Sequence, residues 1–194
     1  PHLPAGSKAI PAWPEGPGAK LFVYYRTGYP DFSELMRHLA QLKLPTLAVV
    51  DDATPDQVKE FSTPLLRIST SPVDLAVVAK QAALAIGHGG AGSSMQLILG
   101  GCPMLLLPGV VEQGQAGYRL VRAGVAMRMP PGQRRHDFAN AIRRGLGESS
   151  FRERAQALAQ KYADLPAIGQ PRHLLEACER AVISAIVHEP LLTR

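Results

Sequence analysis

Residues 82–101 read AALAIGHGGAGSSMQLILGG. Ala82 to Ile86 is an apolar run of strand length, Gly87 to Gly92 is a glycine-rich turn, and Ser93 to Leu99 has the composition of a helix stopped by Gly100-Gly101. A strand that feeds a helix through glycines is half of a βαβ unit. Glycines at 87, 89, 90 and 92 let the backbone approach a ligand closely and take positive φ. The first amides of the following helix have no intrahelical partner and lie at the positive end of its dipole. A diphosphate suits such a place, with Gly89, Gly90, Ala91 and Gly92 supplying backbone, His88 a side-chain donor, and Ser93 and Ser94 hydroxyls. The competing reading is a tight turn in which His88 is an ordinary loop histidine.

Working outward, strands and helices alternate. Leu21 to Tyr25 reads as a first strand, and Asp31 with Glu34 three residues later predicts a capping box on a helix through Phe32, Leu35, Met36, Leu39 and Leu42. Pro45 ends that helix before a second strand, Thr46 to Val50. Thr54-Pro55 opens a short helix, Leu65 to Ile68 is a third strand, and Asp74 to Lys80 is helical. After the glycine loop come a fifth strand at Met104 to Leu107, a helix at Gln113 to Ala123 and a sixth strand at Ala126 to Met129. Helices follow at Phe138 to Leu146, Phe151 to Tyr162 and about Pro171 to Val187. Strands without alternation, each followed by a helix, bury both faces of their sheet. The expected fold is therefore a doubly wound, six-stranded, parallel, Rossmann-like sheet with a helical C-terminal tail. In the order 3-2-1-4-5-6, the crevice opens between the ends of strands one and four, at Arg26-Thr27-Gly28 and at Gly87 to Ser94. The glycine loop falls at that crevice on topology alone.

The 194 residues, 46% of them hydrophobic, suffice for one buried core. Residues 1–18, with prolines at 1, 4, 11, 14 and 17, read as a linker onto which Trp13 packs; 19–170 form the binding domain and 171–194 the tail. A net charge of +5 and a pI near 9.5 favour an anionic partner. The basic residues are scattered and not interleaved with aromatics, which argues against nucleic acid. Cys102 and Cys178 form no CxxC and sit in apolar surroundings, consistent with a reducing compartment. With no membrane-length apolar run and no signal segment, a cytoplasmic location is expected. The chain begins at Pro1 and not at Met, which suggests a piece of a longer protein.

Gly87-x-Gly89-x-x-Gly92 also fits the dinucleotide fingerprint, but that fingerprint follows the first strand of its unit. Glu112, where a ribose-binding acid would be sought, lies past Pro108-Gly109 and not at a strand end. A more specific match runs from Pro72 to Gly124. His88-Gly89-Gly90-Ala91-Gly92-Ser93-Ser94, then Gly101-Cys102-Pro103-Met104-Leu105-Leu106-Leu107-Pro108, then Glu112-Gln113, Arg119-Leu120 and Gly124-Val125 resemble, in order and spacing, the donor-binding signature of family 1 glycosyltransferases. The resemblance implies the C-terminal half of a GT-B fold. In that role His88 and Gly90 to Ser94 hold a donor diphosphate and Thr27 lies near the phosphates. Pro72 and Val73 face the base, Val73 through its backbone alone, and Glu112 and Gln113 bind hydroxyls of the transferred sugar.

The departures from that family are specific. Gln96 stands where many members have a ribose-binding Glu, Thr70 replaces the plant base-stacking Trp, Ala116 replaces an Asn, and Arg26 replaces a Gly before Thr27. They favour a bacterial-type enzyme and leave nucleotide and sugar open. The implied reaction moves a sugar from a nucleoside-diphosphate sugar to a hydroxyl of an acceptor, a small molecule, glycan or lipid met through the N-terminal domain, with no metal or other cofactor required. No residue here reads as its base, which belongs to an N-terminal domain. His38, His136 and His173 are isolated, and Cys102 sits in an apolar turn. The tail would bury Ala177, Ala181, Ile183, Ile186 and Val187 against that domain, and severed from it would fold back or drive weak self-association. The competing functions are a nucleotide-sugar epimerase of the same architecture, which needs acid and base groups in the crevice, and a non-enzymatic nucleotide-binding module.

Overall fold

A computed structural model describes residues 11–29, 31–129 and 137–163. The predicted closing helix at 171–187, Cys178, His136, His173 and residues 1–10 of the expected linker lie outside the described residues. The chain divides into two units, Pro1–Lys161 and Tyr162–Arg194, and the described fold is that of the first.

Six strands, β1 (Leu21–Tyr24), β2 (Thr46–Val49), β3 (Leu66–Ser69), β4 (Leu84–Gly87), β5 (Met104–Leu106) and β6 (Ala126–Arg128), form one sheet. Its order is β3-β2-β1-β4-β5-β6, and every pairing is parallel. The helices between them are α1 (Phe32–Leu42), α2 (Pro55–Phe61), α3 (Leu75–Gln81), α4 (Ala91–Leu99) and α5 (Val111–Arg122). Two more, α6 (Phe138–Gly147) and α7 (Ser149–Lys161), follow β6. Parallel neighbours require crossovers, so helices cover both faces and two cores result. One gathers Leu21, Val23 and Tyr25 with Phe32, Leu35 and Phe138. The other gathers Phe22, Leu47 and Val49 with Val78, Leu97 and Cys102. Alternate residues of β1 feed the two cores, which is why the strand reads as one unbroken apolar run.

Local chemistry sets the helix ends, and at one of them the sequence misleads. The expected capping box at Asp31 and Glu34 does not form: Asp31 sits at φ −98°, ψ 6° and its side chain makes no cap hydrogen bond. An N-cap side chain reaches the N3 amide from extended backbone, which Asp31 does not have. Its carboxylate, buried, accepts instead from the Tyr25 hydroxyl at 2.7 Å. The capping box lies on α2, where Thr54 Oγ1 accepts from Gln57 N and Gln57 Oε1 accepts from Thr54 N. The stop after α4 is a Schellman turn: Gly101, at φ 87°, donates to Ile98 O, and Cys102 N donates to Leu97 O. Cys102 is fully buried there, and burial pushes its thiol pKa up to about 12. Residues 11–18, read as linker, have neither helix nor strand, yet Pro11 and Pro14 are buried. Trp13 Nε1 donates to Gln81 Oε1 at 2.6 Å, and Lys20 Nζ lies over its ring.

Candidate functional site

The crevice lies at the carboxyl ends of β1 and β4, as a sheet reversing between those strands requires. β4 ends at Gly87, His88 and Gly89 form the turn, Gly90 is the N-cap, and Ala91 and Gly92 already belong to the first turn of α4. Only Gly89, at φ 87°, uses the left-handed freedom of glycine in this loop. A Cβ there would meet the Gln113 carbonyl at 3.4 Å, so the glycine also lets α5 approach the loop. Because Gly90 has no side chain, α4 starts with no side-chain cap, and the amides of Ala91, Gly92 and Ser93 face outward without intrahelical partners.

His88 is half-buried over these amides. Its ring stacks on Tyr29, with centroids 5.4 Å apart and planes 19° apart, and lies 6.1 Å from Tyr24 and 6.3 Å from Tyr25. Its Nε2 is 3.5 Å from where a Cβ of Gly90 would stand, at the helix start. Loss of solvent holds its pKa below the ordinary 6.5, reinforced by the Arg26 guanidinium and opposed by Asp51. His88 Nδ1 and Ser94 Oγ are buried with no hydrogen-bond partner. Such orphaned polar atoms are costly in a folded chain, and each calls for a water, an ion or a functional role to explain it. The Ser93 hydroxyl, by contrast, donates to Gly90 O at 3.3 Å.

The other expected residues are placed unevenly. Thr27 lies across the crevice with its amide donated to Asp52 Oδ1 at 3.0 Å, and Arg26 leans to Asp51, Nε to Oδ1 3.6 Å. Gln113, in the first turn of α5, is held at both ends: Oε1 accepts from Gly109 N at 2.9 Å and Nε2 donates to Tyr29 Oη at 2.9 Å. Glu112 is exposed in the same turn, at the positive end of the helix. Pro72 and Gln96 are exposed, while Val73 is in the core, so its side chain takes no part. Tyr24, Tyr29, Asp51 and Asp52 were not among the sequence candidates. The strand order could have found the aspartates, since the end of β2 lies beside that of β1.

No family model matches the chain, and neither does any curated protein. Solved structures match clearly. The glycosyltransferase VinC, crystallised in complex with dTDP, superposes with a TM-score of 0.70 at 22% identity, over 85% of this chain and 43% of that one. The spinosyn rhamnosyltransferase SpnG gives 0.66 at 23%, over 90% and 49%. SsfS6 of Streptomyces sp. SF2575, complexed with thymidine diphosphate, gives 0.64 at 20%, over 89% and 44%.

This chain has the fold of one half of a GT-B glycosyltransferase. It spans less than half the length of the solved structures it matches. A broad groove of about 710 Å³ runs along α5 from Gly109 past Val111 and Tyr118 to Arg119 and Arg128. It therefore begins at the residue whose amide Gln113 holds. Among the described residues no helix is long and apolar enough to cross a membrane.

Proposed function

We propose that this chain is the donor-binding, C-terminal half of a glycosyltransferase that moves a sugar from a nucleoside-diphosphate sugar to an acceptor hydroxyl. One observation carries the reading: α4 begins without a side-chain cap beneath His88, whose buried Nδ1 has no partner, at the point where the sheet reverses. The diphosphate would lie on the amides of Ala91 to Ser93 and against His88, with Thr27 opposite and Glu112 and Gln113 toward the sugar. Charge that develops on the leaving diphosphate meets amides already aimed at it, and we assign its stabilisation to them and to the helix dipole, not to a metal. The dTDP complexes of the matched structures support a nucleotide donor. In this reading Pro72, Val73 and Gln96 lie toward the nucleoside, and the acceptor and the base come from the other half of the enzyme. The free thiol of Cys102 supports a cytoplasmic setting. The half by itself binds donor and transfers nothing.

Calorimetry with UDP, dTDP and GDP tests the site. Binding of one of them at micromolar to millimolar Kd is expected, and no heat and no thermal shift at millimolar nucleotide would overturn the reading. Sugar transfer by this chain alone, near the rate of a full-length enzyme, would refute the half-site assignment.

A further inference from the structure

Tyr29 joins three loops. It follows Thr27-Gly28 after β1, its ring lies flat on His88 of the β4 loop, and its hydroxyl accepts from Gln113 in the first turn of α5, 84 residues away in sequence. A Cβ at Gly109 would overlap the same ring, so the β5 loop passes against Tyr29 only because that residue is glycine. The hydrogen bonds here have a fixed direction. Gly109 N–H can only donate, so it takes Gln113 Oε1 and turns Nε2 to the other side, where it donates to Tyr29 Oη. The Gln113 amide is thus clamped with one Nε2 hydrogen and one Oε1 lone pair left over. Unclamped, a glutamine side chain at a helix start would sample several rotamers, and a ligand would have to order it on binding.

We infer that Tyr29 is a positioning residue for the sugar end of the donor, acting through the orientation of Gln113. The inference rests on the proposed reading of the crevice as a nucleotide-sugar site. The hydroxyl and the ring divide the work: the hydroxyl aligns Gln113, while the ring supports His88 at the diphosphate. Removing the hydroxyl alone therefore separates sugar binding from diphosphate binding, which a general loosening of the loop would not do.

The experiment is calorimetry on the chain with dTDP and UDP, and with dTDP-glucose, dTDP-rhamnose and UDP-glucose. It compares the unaltered protein, Tyr29→Phe, Gln113→Ala and the double variant, with thermal melts to confirm folding. Tyr29→Phe is expected to weaken the bound nucleotide sugar about five- to tenfold, with less than a twofold change for the parent diphosphate. In the Gln113→Ala background the same change is expected to have no further effect, the signature of a residue that acts through its partner. Equal losses for sugar and diphosphate, no loss for either, or a full loss persisting in the Gln113→Ala background would each overturn the inference. Were the unaltered protein to bind neither diphosphate, the donor-site reading itself would fail. Were it to bind a diphosphate while Tyr29→Phe failed to discriminate nucleotide sugar from diphosphate, only the positioning role would fall.

Discussion

Helices α3 and α4 both start at the carboxyl end of a parallel strand, and they start in opposite ways. At α3, Asp74 Oδ1 accepts from Ala76 N at 2.8 Å and Val77 N at 3.4 Å, so the helix satisfies two of its first three amides and sets its own negative charge against its dipole. At α4, Gly90 stands in the same role and offers nothing. A self-capped start gains about 1 kcal/mol of stability and leaves no place for an anion, whereas the open start forgoes that gain and keeps three amides for a ligand. One side chain decides between a structural helix end and a binding one.

Exchanging the two ends is the harshest way to break this comparison. Gly90→Asp gives α4 the cap that α3 has. The backbone there, at φ −58° and ψ 131°, accepts any side chain, and the new Cβ meets its neighbours no closer than 3.5 Å. Diphosphate affinity should fall about 100-fold or more, on the order of 3 kcal/mol, with folding stability unchanged or raised in urea titrations. Retained affinity would show that α4 is not the anion site. Next in size, His88→Ala should weaken the diphosphate by about 1.5–3 kcal/mol. An unchanged Kd in a folded variant would leave His88 as packing for Tyr29.

The converse probe is Asp74→Ala, which should cost about 1 kcal/mol of folding stability and leave nucleotide affinity as it was. A change in affinity would mean the two helix ends are coupled. The smallest effect is a pH trend at His88. Its folded pKa lies below the unfolded 6.5, so the folded chain holds fewer protons; its contribution to stability is present above 6.5 and is lost as pH falls. A bound diphosphate pulls the other way and raises that pKa, so binding takes up a proton. Affinity should therefore rise as the pH is lowered from about 8 to about 6.5. Calorimetry in buffers of different ionisation heat checks the proton uptake, and the same trend in His88→Ala would assign it to the ligand.

Much of this was legible because the deciding signals are local. A glycine turn between an apolar run and a helix, repeated strand and helix alternation, and two glycines at a helix stop each follow from neighbours in sequence. From them came the strand order and the position of Gly87 to Ser94. The failures came where a side chain had a remote choice. Asp31 looked like a cap, but the hydroxyl of buried Tyr25, just past the preceding strand, engages its carboxylate. Gln113 was assigned to the sugar from its place in the signature, and nothing local foretold its hold on Gly109 and on a tyrosine from the far side of the crevice. The capping box that does form, at Thr54 and Gln57, was within reach of the same rule that misplaced one at Asp31.

The turn that ends α4 supplies a gauge of the domain's integrity. Cys102 is sealed into it, and with a pKa near 12 almost none of its sulfur is thiolate at neutral pH. An alkylating reagent attacks only thiolate that solvent can reach. Once Cys178 has been changed to serine, labelling of the remaining thiol should proceed only through opening of the sheet and α4 together. Its rate then reads how often the core opens, and a nucleotide that closes on the other end of the same helix should slow it in proportion to its occupancy.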